Sequence, residues 1–223
     1  MLNLAIDTST NILSLALVCG DEVLASIDEP TKNNQSEILM SRIESMMTEC
    51  NLKPAELGRI AVAIGPGSYT GIRVGVAAAK GLGYALNTPV VGVSSLEVMA
   101  NSATSDEIRV PMIDARRGTV FAGAYLHTGE ILIPEGHYEL EELLSKLDLG
   151  KDNISFIGDG AVVHKERLLA TYGHTRVVAE SDFTRSKAEV LAELARKASP
   201  IENIHALLPN YLRKTEAEMS AGV

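Results

Sequence analysis

Two stretches of this chain run through the same order of elements, and that repetition limits the fold more than any other feature. Residues 2–7, Leu-Asn-Leu-Ala-Ile-Asp, are mostly apolar and end in Asp7, which predicts a strand. A polar turn at 8–11, a strand at 12–18, a hairpin turn at Gly20-Asp21 and a strand at 22–28 follow, so the chain opens as an antiparallel meander. A helix is expected over 35–50, with Leu39, Ile43, Met46, Met47 and Cys50 on one face. A strand at 60–64, a helix at 69–86, a strand at 90–93 and a helix begun by Ser94 and Glu97 complete the first half. Residues 101–106 are linker-like, and then the pattern restarts. Residues 108–114 form a strand that again ends in an aspartate, Asp114. Ala115-Arg116-Arg117-Gly118 turns the chain into a strand at 119–126, and Thr128-Gly129 into another at 130–133. A helix at 139–147 and a strand at 154–157 lead to Gly158-Asp159-Gly160, with helices at 162–172 and 186–197 beyond. The order strand, Asp-turn, strand, hairpin, strand, helix, strand therefore occurs twice. It is a repeat of architecture, not of sequence. It predicts an α/β fold of two βββαβα lobes, 1–104 and 105–223, with the last helices able to return to the first lobe.

Gly65-Pro66-Gly67-Ser68-Tyr69-Thr70-Gly71 lies between the strand at 60–64 and the helix after it. The glycines permit positive φ, Pro66 fixes its own, and Ser68 or Thr70 can cap the helix. Such a turn can cradle an anion at the helix N-terminus or bring the helix close to other backbone. Its spacing fits neither a P-loop, since no GK[ST] follows, nor the dinucleotide GxGxxG. Gly71, Gly75, Ala79 and Gly83 continue every fourth residue and leave a nearly bare helix face. Glycine costs a helix about 1 kcal/mol relative to alanine, so the face implies close packing. It faces either the protein's own sheet or a partner helix. Arg73, Lys80 and Tyr84 lie off this stripe, as Ile38 and Met40 lie off the apolar face of helix 35–50.

The formal net charge of −9 disfavours nonspecific binding to nucleic-acid backbone. The two cysteines, Cys19 and Cys50, sit in apolar stretches and read as buried free thiols of a reducing compartment. There is no basic leader pattern at the N-terminus and no apolar run of about 18 residues, and a cytoplasmic protein is expected. The histidines His127, His137, His164, His174 and His205 make no HxxxH or HExxH pair, so no metal site is expected. Nothing like GxSxG is present for a Ser-His-Asp triad. Asp7, Thr8 and Ser9 could hold a magnesium-bound water or a phosphate, or the carboxylate could only cap its own turn. Asp114 offers the same choice. One of Arg116 and Arg117 could clamp an anion.

The two Asp-ended halves resemble the actin-like ATPase superfamily of sugar kinases, Hsp70 and actin. That resemblance implies first hairpins facing the phosphates of ATP across a cleft, with Asp7, Thr8 and Ser9 on one side and Asp114 and Arg116 on the other. Gly158, Asp159 and Gly160 would take the place of the adenosine loop. A closer resemblance rests on Ile-Asp-Thr-Ser-Thr at 6–10, Gln-Ser-Glu at 35–37, the run at 65–75, Asp-Ala-Arg-Arg at 114–117, Gly-Asp-Gly at 158–160 and Pro-Asn-Tyr-Leu-Arg at 209–213. Together these look like the bacterial TsaB (YeaZ) family, a component of the machinery that makes N6-threonylcarbamoyladenosine (t6A) at position 37 of tRNA.

The resemblance implies a non-catalytic scaffold that binds and stabilises the paralogous catalytic subunit TsaD, is joined by the ATPase TsaE, and forms a homodimer when alone. tRNA is then met only indirectly, and no cofactor is expected beyond ADP or ATP at the partner interface. In TsaD a His-x-x-x-His pair holds a metal, whereas Ser95 and Met99 stand at the matching positions here; both are poor metal ligands. Gln35 stands where relatives often carry histidine. The partner face is carried over to the helices at 35–50 and 69–86, through Ile38, Met40, Met46, Gly71, Arg73, Gly75, Ala79, Lys80 and Gly83. The cleft residues become vestigial, so that Asp7→Ala is expected to cost little activity of the complex. Two other functions are consistent with parts of the pattern: an actin-like ATP-dependent phosphotransferase and a metallopeptidase.

Overall fold

The computed structural model describes residues 1–32, 34–103, 108–147, 153–173 and 175–212. The elements are, in order, β1 (Leu2–Asp7), β2 (Ile12–Cys19), β3 (Glu22–Pro30), α1 (Gln35–Glu49), β4 (Leu57–Ala63), α2 (Tyr69–Leu86), β5 (Val90–Val93) and α3 (Ser95–Ser102). After them come β6 (Ile108–Asp114), β7 (Thr119–Leu126), β8 (Ile131–Glu139), α4 (Leu140–Lys146), β9 (Ile154–Ile157), α5 (Asp159–Val163), α6 (Lys165–Tyr172), β10 (Arg176–Val178) and α7 (Lys187–Lys197). They form two five-stranded sheets, ordered β3-β2-β1-β4-β5 and β8-β7-β6-β9-β10. In each, the first strand pairs antiparallel with the second and parallel with the fourth. The repeat is thus complete to the last strand, and the fold is actin-like. The three-residue β10, parallel to β9, is the element the sequence pattern missed. The expected helix at 162–172 is broken at His164, which ends α5 and begins α6.

The chain divides into two units. The first holds Met1–Ser102 and Thr184–Pro209; the second holds the described residues of Ala103–Phe183 and Asn210–Val223. A sequence boundary at 104/105 lies outside the described residues. Helix α7 belongs to the first unit although it follows the whole second sheet.

Strand alternation decides what each face of the first sheet can carry. Leu4, Ile6, Leu13, Leu15, Leu17, Ile60 and Val62 point to one face and pack with Leu39, Ile43 and Met46 of α1 and Val76 and Ala79 of α2. Ala5, Ala16, Ala61 and Ala63 point to the other, where Ala188, Leu191, Ala192 and Ala195 of α7 lie against them with Val98 of α3. Small residues on both sides let α7 sit close to the sheet. The second unit has its own core, built from Val110, Met112, Phe156, Leu143 and Leu168. Cys50 is half-buried, but Cys19 is exposed, against expectation. It is the last residue of β2, where the strand runs into the exposed Gly20-Asp21 turn.

Candidate functional site

The Gly65–Gly71 turn closes on the loop after β1. Gly65 and Gly67 have φ of 105° and 157°. A side chain on Gly67 would run into the Ser9 backbone, and one on Gly71 into the Thr8 carbonyl. Ser68 N–H donates to the Ser9 carbonyl at 2.7 Å, and the Thr8 hydroxyl to the Gly71 carbonyl at 2.7 Å. Ser68 also caps α2, accepting from Gly71 N–H at 3.2 Å. From α1, the Gln35 amide donates to the Thr10 carbonyl at 2.8 Å. The glycines therefore serve a close backbone approach within the chain. Their neighbour is the 8–10 loop.

The same holds along the helix. Gly71, Gly75, Ala79 and Gly83 are all buried. A Cβ on Gly75 would strike the Thr8 hydroxyl, and one on Gly83 would strike Val90 and crowd Ile204. The expected use of this stripe as a partner face is corrected: it packs on the protein's own loop, sheet and 204–207 segment. Met46 is likewise core, not interface, because it shares the Leu39/Ile43 face of α1. Ile38 is half-buried beside that core. Lys80 is half-buried, and its ammonium donates to the His205 and Leu207 carbonyls, both at 3.1 Å. The outer face of α2 instead presents Tyr69, Arg73, Ala77, Gly81 and Tyr84, all exposed. Gly81 has nothing within 4 Å of where a Cβ would stand. Tyr84 is 72% and Met40 of α1 49% exposed. Arg73 donates to the Tyr69 hydroxyl at 2.8 Å and lies over its ring.

Asp7, Thr8 and Ser9 are fully buried. Asp7 Oδ1 accepts from Ser9 N–H at 2.8 Å and from the Ser9 hydroxyl at 2.6 Å. Its Oδ2 has no hydrogen-bond partner, and Lys187 Nζ stands 3.9 Å away. Lys187 is 3% exposed and donates to the Thr10 hydroxyl at 2.7 Å. The actin-like fold implies a magnesium-nucleotide group at this loop, and the residues present do not fit one. One carboxylate oxygen is consumed by the turn, the other faces an ammonium, and the glycine turn is closed over the loop. Asp7 thus does more than cap its turn, because its second carboxylate oxygen faces a buried ammonium. Sequence reasoning missed Lys187, yet one signal was available. Alternation puts Asp7 on the Ala5 face of β1, the face that α7 covers.

In the second unit, Asp114 accepts from Arg116 N–H at 2.9 Å and its own N–H donates to Asp159 Oδ1 at 3.1 Å. Arg116 and Arg117 take positive φ, 67° and 54°, in an exposed turn. Gly158 is buried with φ of 104°, and Gly160 lies against the Met112 and Ile113 backbone. These residues are brought together at one end of β6. At the position of a metal-binding pair, the Ser95 hydroxyl accepts from Gly65 N–H at 3.1 Å, and Met99 is 1% exposed in the core. No cluster of three metal-ligating side chains occurs among the described residues. No helix among them is long and apolar enough to cross a membrane.

The family model described as TsaD, tRNA N6-adenosine threonylcarbamoyltransferase, matches residues 22–221. The chain is 36% identical to the tRNA threonylcarbamoyladenosine biosynthesis protein TsaB of Bacillus subtilis, over 96% of this chain and 95% of that protein. Among solved structures, YeaZ from Pseudomonas aeruginosa superposes with a TM-score of 0.77 at 26% identity, covering 95% of this chain and 99% of that one. The ADPNP-bound activator of 2-hydroxyisocaproyl-CoA dehydratase from Clostridium difficile shares the fold alone, with a TM-score of 0.50 at 12% identity over 91% of this chain and 100% of that one.

Proposed function

This chain belongs to the TsaB family of t6A biosynthesis proteins, and we propose that it is the non-catalytic partner that binds and stabilises TsaD. The observation that carries the non-catalytic part is the fate of positions 95 and 99. Ser95 is fastened to the glycine turn and Met99 is packed in the core. Neither side chain is placed or suited to ligate a metal. The partner face is the outer side of α2 with the exposed Met40 of α1. Its small residues Ala77 and Gly81 admit a second helix closely, and Tyr69, Arg73 and Tyr84 frame them. The same face serves the homodimer in the absence of TsaD, TsaE joins the pair, ADP or ATP binds at the heterodimer interface if at all, and the setting is the cytoplasm. The buried, lysine-faced Asp7 speaks against the phosphotransferase alternative. The test is t6A synthesis reconstituted on tRNA with TsaD and TsaE, with and without this chain. Strong dependence is expected, and equal turnover without it would overturn the reading.

A further inference from the structure

Asp7 and Lys187 are separated by 180 residues of sequence, yet both are almost wholly withdrawn from water. A buried carboxylate or ammonium is costly unless each answers the other, and removing one partner leaves the other charge uncompensated. The remaining bonds around the pair run the same way. Ser14, opposite Asp7 on β2, accepts from Ala188 N–H at 3.3 Å. Ser14 and Ser186 both donate to Asp28 Oδ1. Ser186 in turn caps α7, accepting from Ala188 N–H at 3.3 Å. At the far end of α7, Arg59 donates to the Ala195 carbonyl at 2.9 Å, and Arg196 bonds the Gly20 carbonyl and Asp21. Polar contacts thus tie both ends of α7 to the first sheet, and the Asp7–Lys187 contact among them joins two buried charges.

We infer that Asp7 and Lys187 form an internal lock, in which the α7 ammonium supplies the positive charge that a bound cation would supply in an open site. The carboxylate at the end of β1 then recruits no metal. It holds the distal part of the chain against the first sheet. Lys187 reaches the Asp7 side because it opens α7, directly after the capping Ser186, and its ammonium stops at Thr10 on the loop that Asp7 begins. A divalent cation brought to Oδ2 would have to displace or neutralise that ammonium.

A double-mutant cycle measures the lock. Asp7→Asn and Lys187→Met, each alone, should lower the folding equilibrium constant in urea about a hundredfold or more. The double variant should recover most of that loss, because the cavity is then neutral. Losses that simply add, or single variants that fold as well as the parent, would overturn the proposal. Thr10→Val is the milder probe if either single variant fails to fold: its cost should be several-fold with Lys187 present and vanish with Lys187→Met in the Asp7→Asn background. The unaltered protein supplies a measurement independent of any variant. Magnesium, alone and with ADP, is titrated at millimolar concentrations while the backbone amides of Thr8, Ser9 and Thr10 are followed by NMR. No saturable shift is expected there, and a saturable shift at those amides would show a cation or nucleotide site and overturn the lock.

Discussion

Two glycines six residues apart on α2 carry opposite expectations. Gly75 is pressed on the Thr8 hydroxyl, which is itself engaged with the Gly71 carbonyl. Gly75→Ala must push that hydroxyl off its acceptor, and overpacking of this kind costs about 1–3 kcal/mol. Gly81 faces open space, so Gly81→Ala should add roughly 1 kcal/mol through helix propensity alone. Urea denaturation of the two variants gives the sign of each change. If Gly75→Ala were neutral, the inward packing of the stripe would be refuted. The four-residue spacing made a bare face legible in the sequence. It could not say whose backbone fills it, because a small face fits the chain's own loop and a foreign helix equally well. Burial supplies the answer: the buried stripe is internal, and the exposed strip of α2 centres on Ala77 and Gly81.

At the scale of elements, α2 is a two-sided helix whose inner side positions a loop and whose exposed outer side is the face proposed for the partner. Arg73→Glu and Tyr84→Ser should therefore each weaken association with TsaD about tenfold or more, the range of a buried anchor at an interface, while the thermal midpoint of the isolated protein stays put. Sedimentation or calorimetry with purified TsaD, set beside a thermal melt, separates the two effects. Helix α1 is pinned to β3 by Arg42, whose guanidinium donates to Glu29 at 2.7 and 2.9 Å. That hydrogen bond holds the Glu29 carboxyl below its ordinary value, with the charge of Arg42 adding to it. A lowered carboxyl contributes stability above its unfolded pKa and loses it as pH falls through the folded one. The contribution of so exposed a pair is small. Arg42→Ala should return Glu29 to the ordinary glutamate range in an NMR titration of its carboxyl carbon. Most elements were legible from periodicity. The exceptions have local causes: β10 spans three residues, too few to alternate, and the apolar pattern continues through His164 although the helix does not.

For the whole molecule, the doubled order of elements dictated two sheets of one topology, and that much was legible from the alternation of strands and turns. The placement of α7 was not. Its amphipathic pattern identifies Ala188, Leu191, Ala192 and Ala195 as a buried face but carries no label for the sheet that buries it. The answer lies in pairs distant in sequence: alanines on β1, β2 and β4 that make room for it, and Asp7 waiting at the end of β1 for Lys187. The consequence is that the first unit cannot complete its core until the chain has passed through the second. Stability should follow that connectivity. In native-state hydrogen exchange, the amides of α7 should open together with those of β1 and β2, at the same free energy, and not with β9 and β10, which lie nearer in sequence. Leu191 has no exposed surface, and Leu191→Ala should remove about 2–5 kcal/mol. If α7 is an integral layer of the first unit, that loss lowers the opening free energy of β1 and β2 by the full amount. If α7 instead exchanges early and Leu191→Ala leaves β1 protected, the helix is an attachment and the first sheet stands without it.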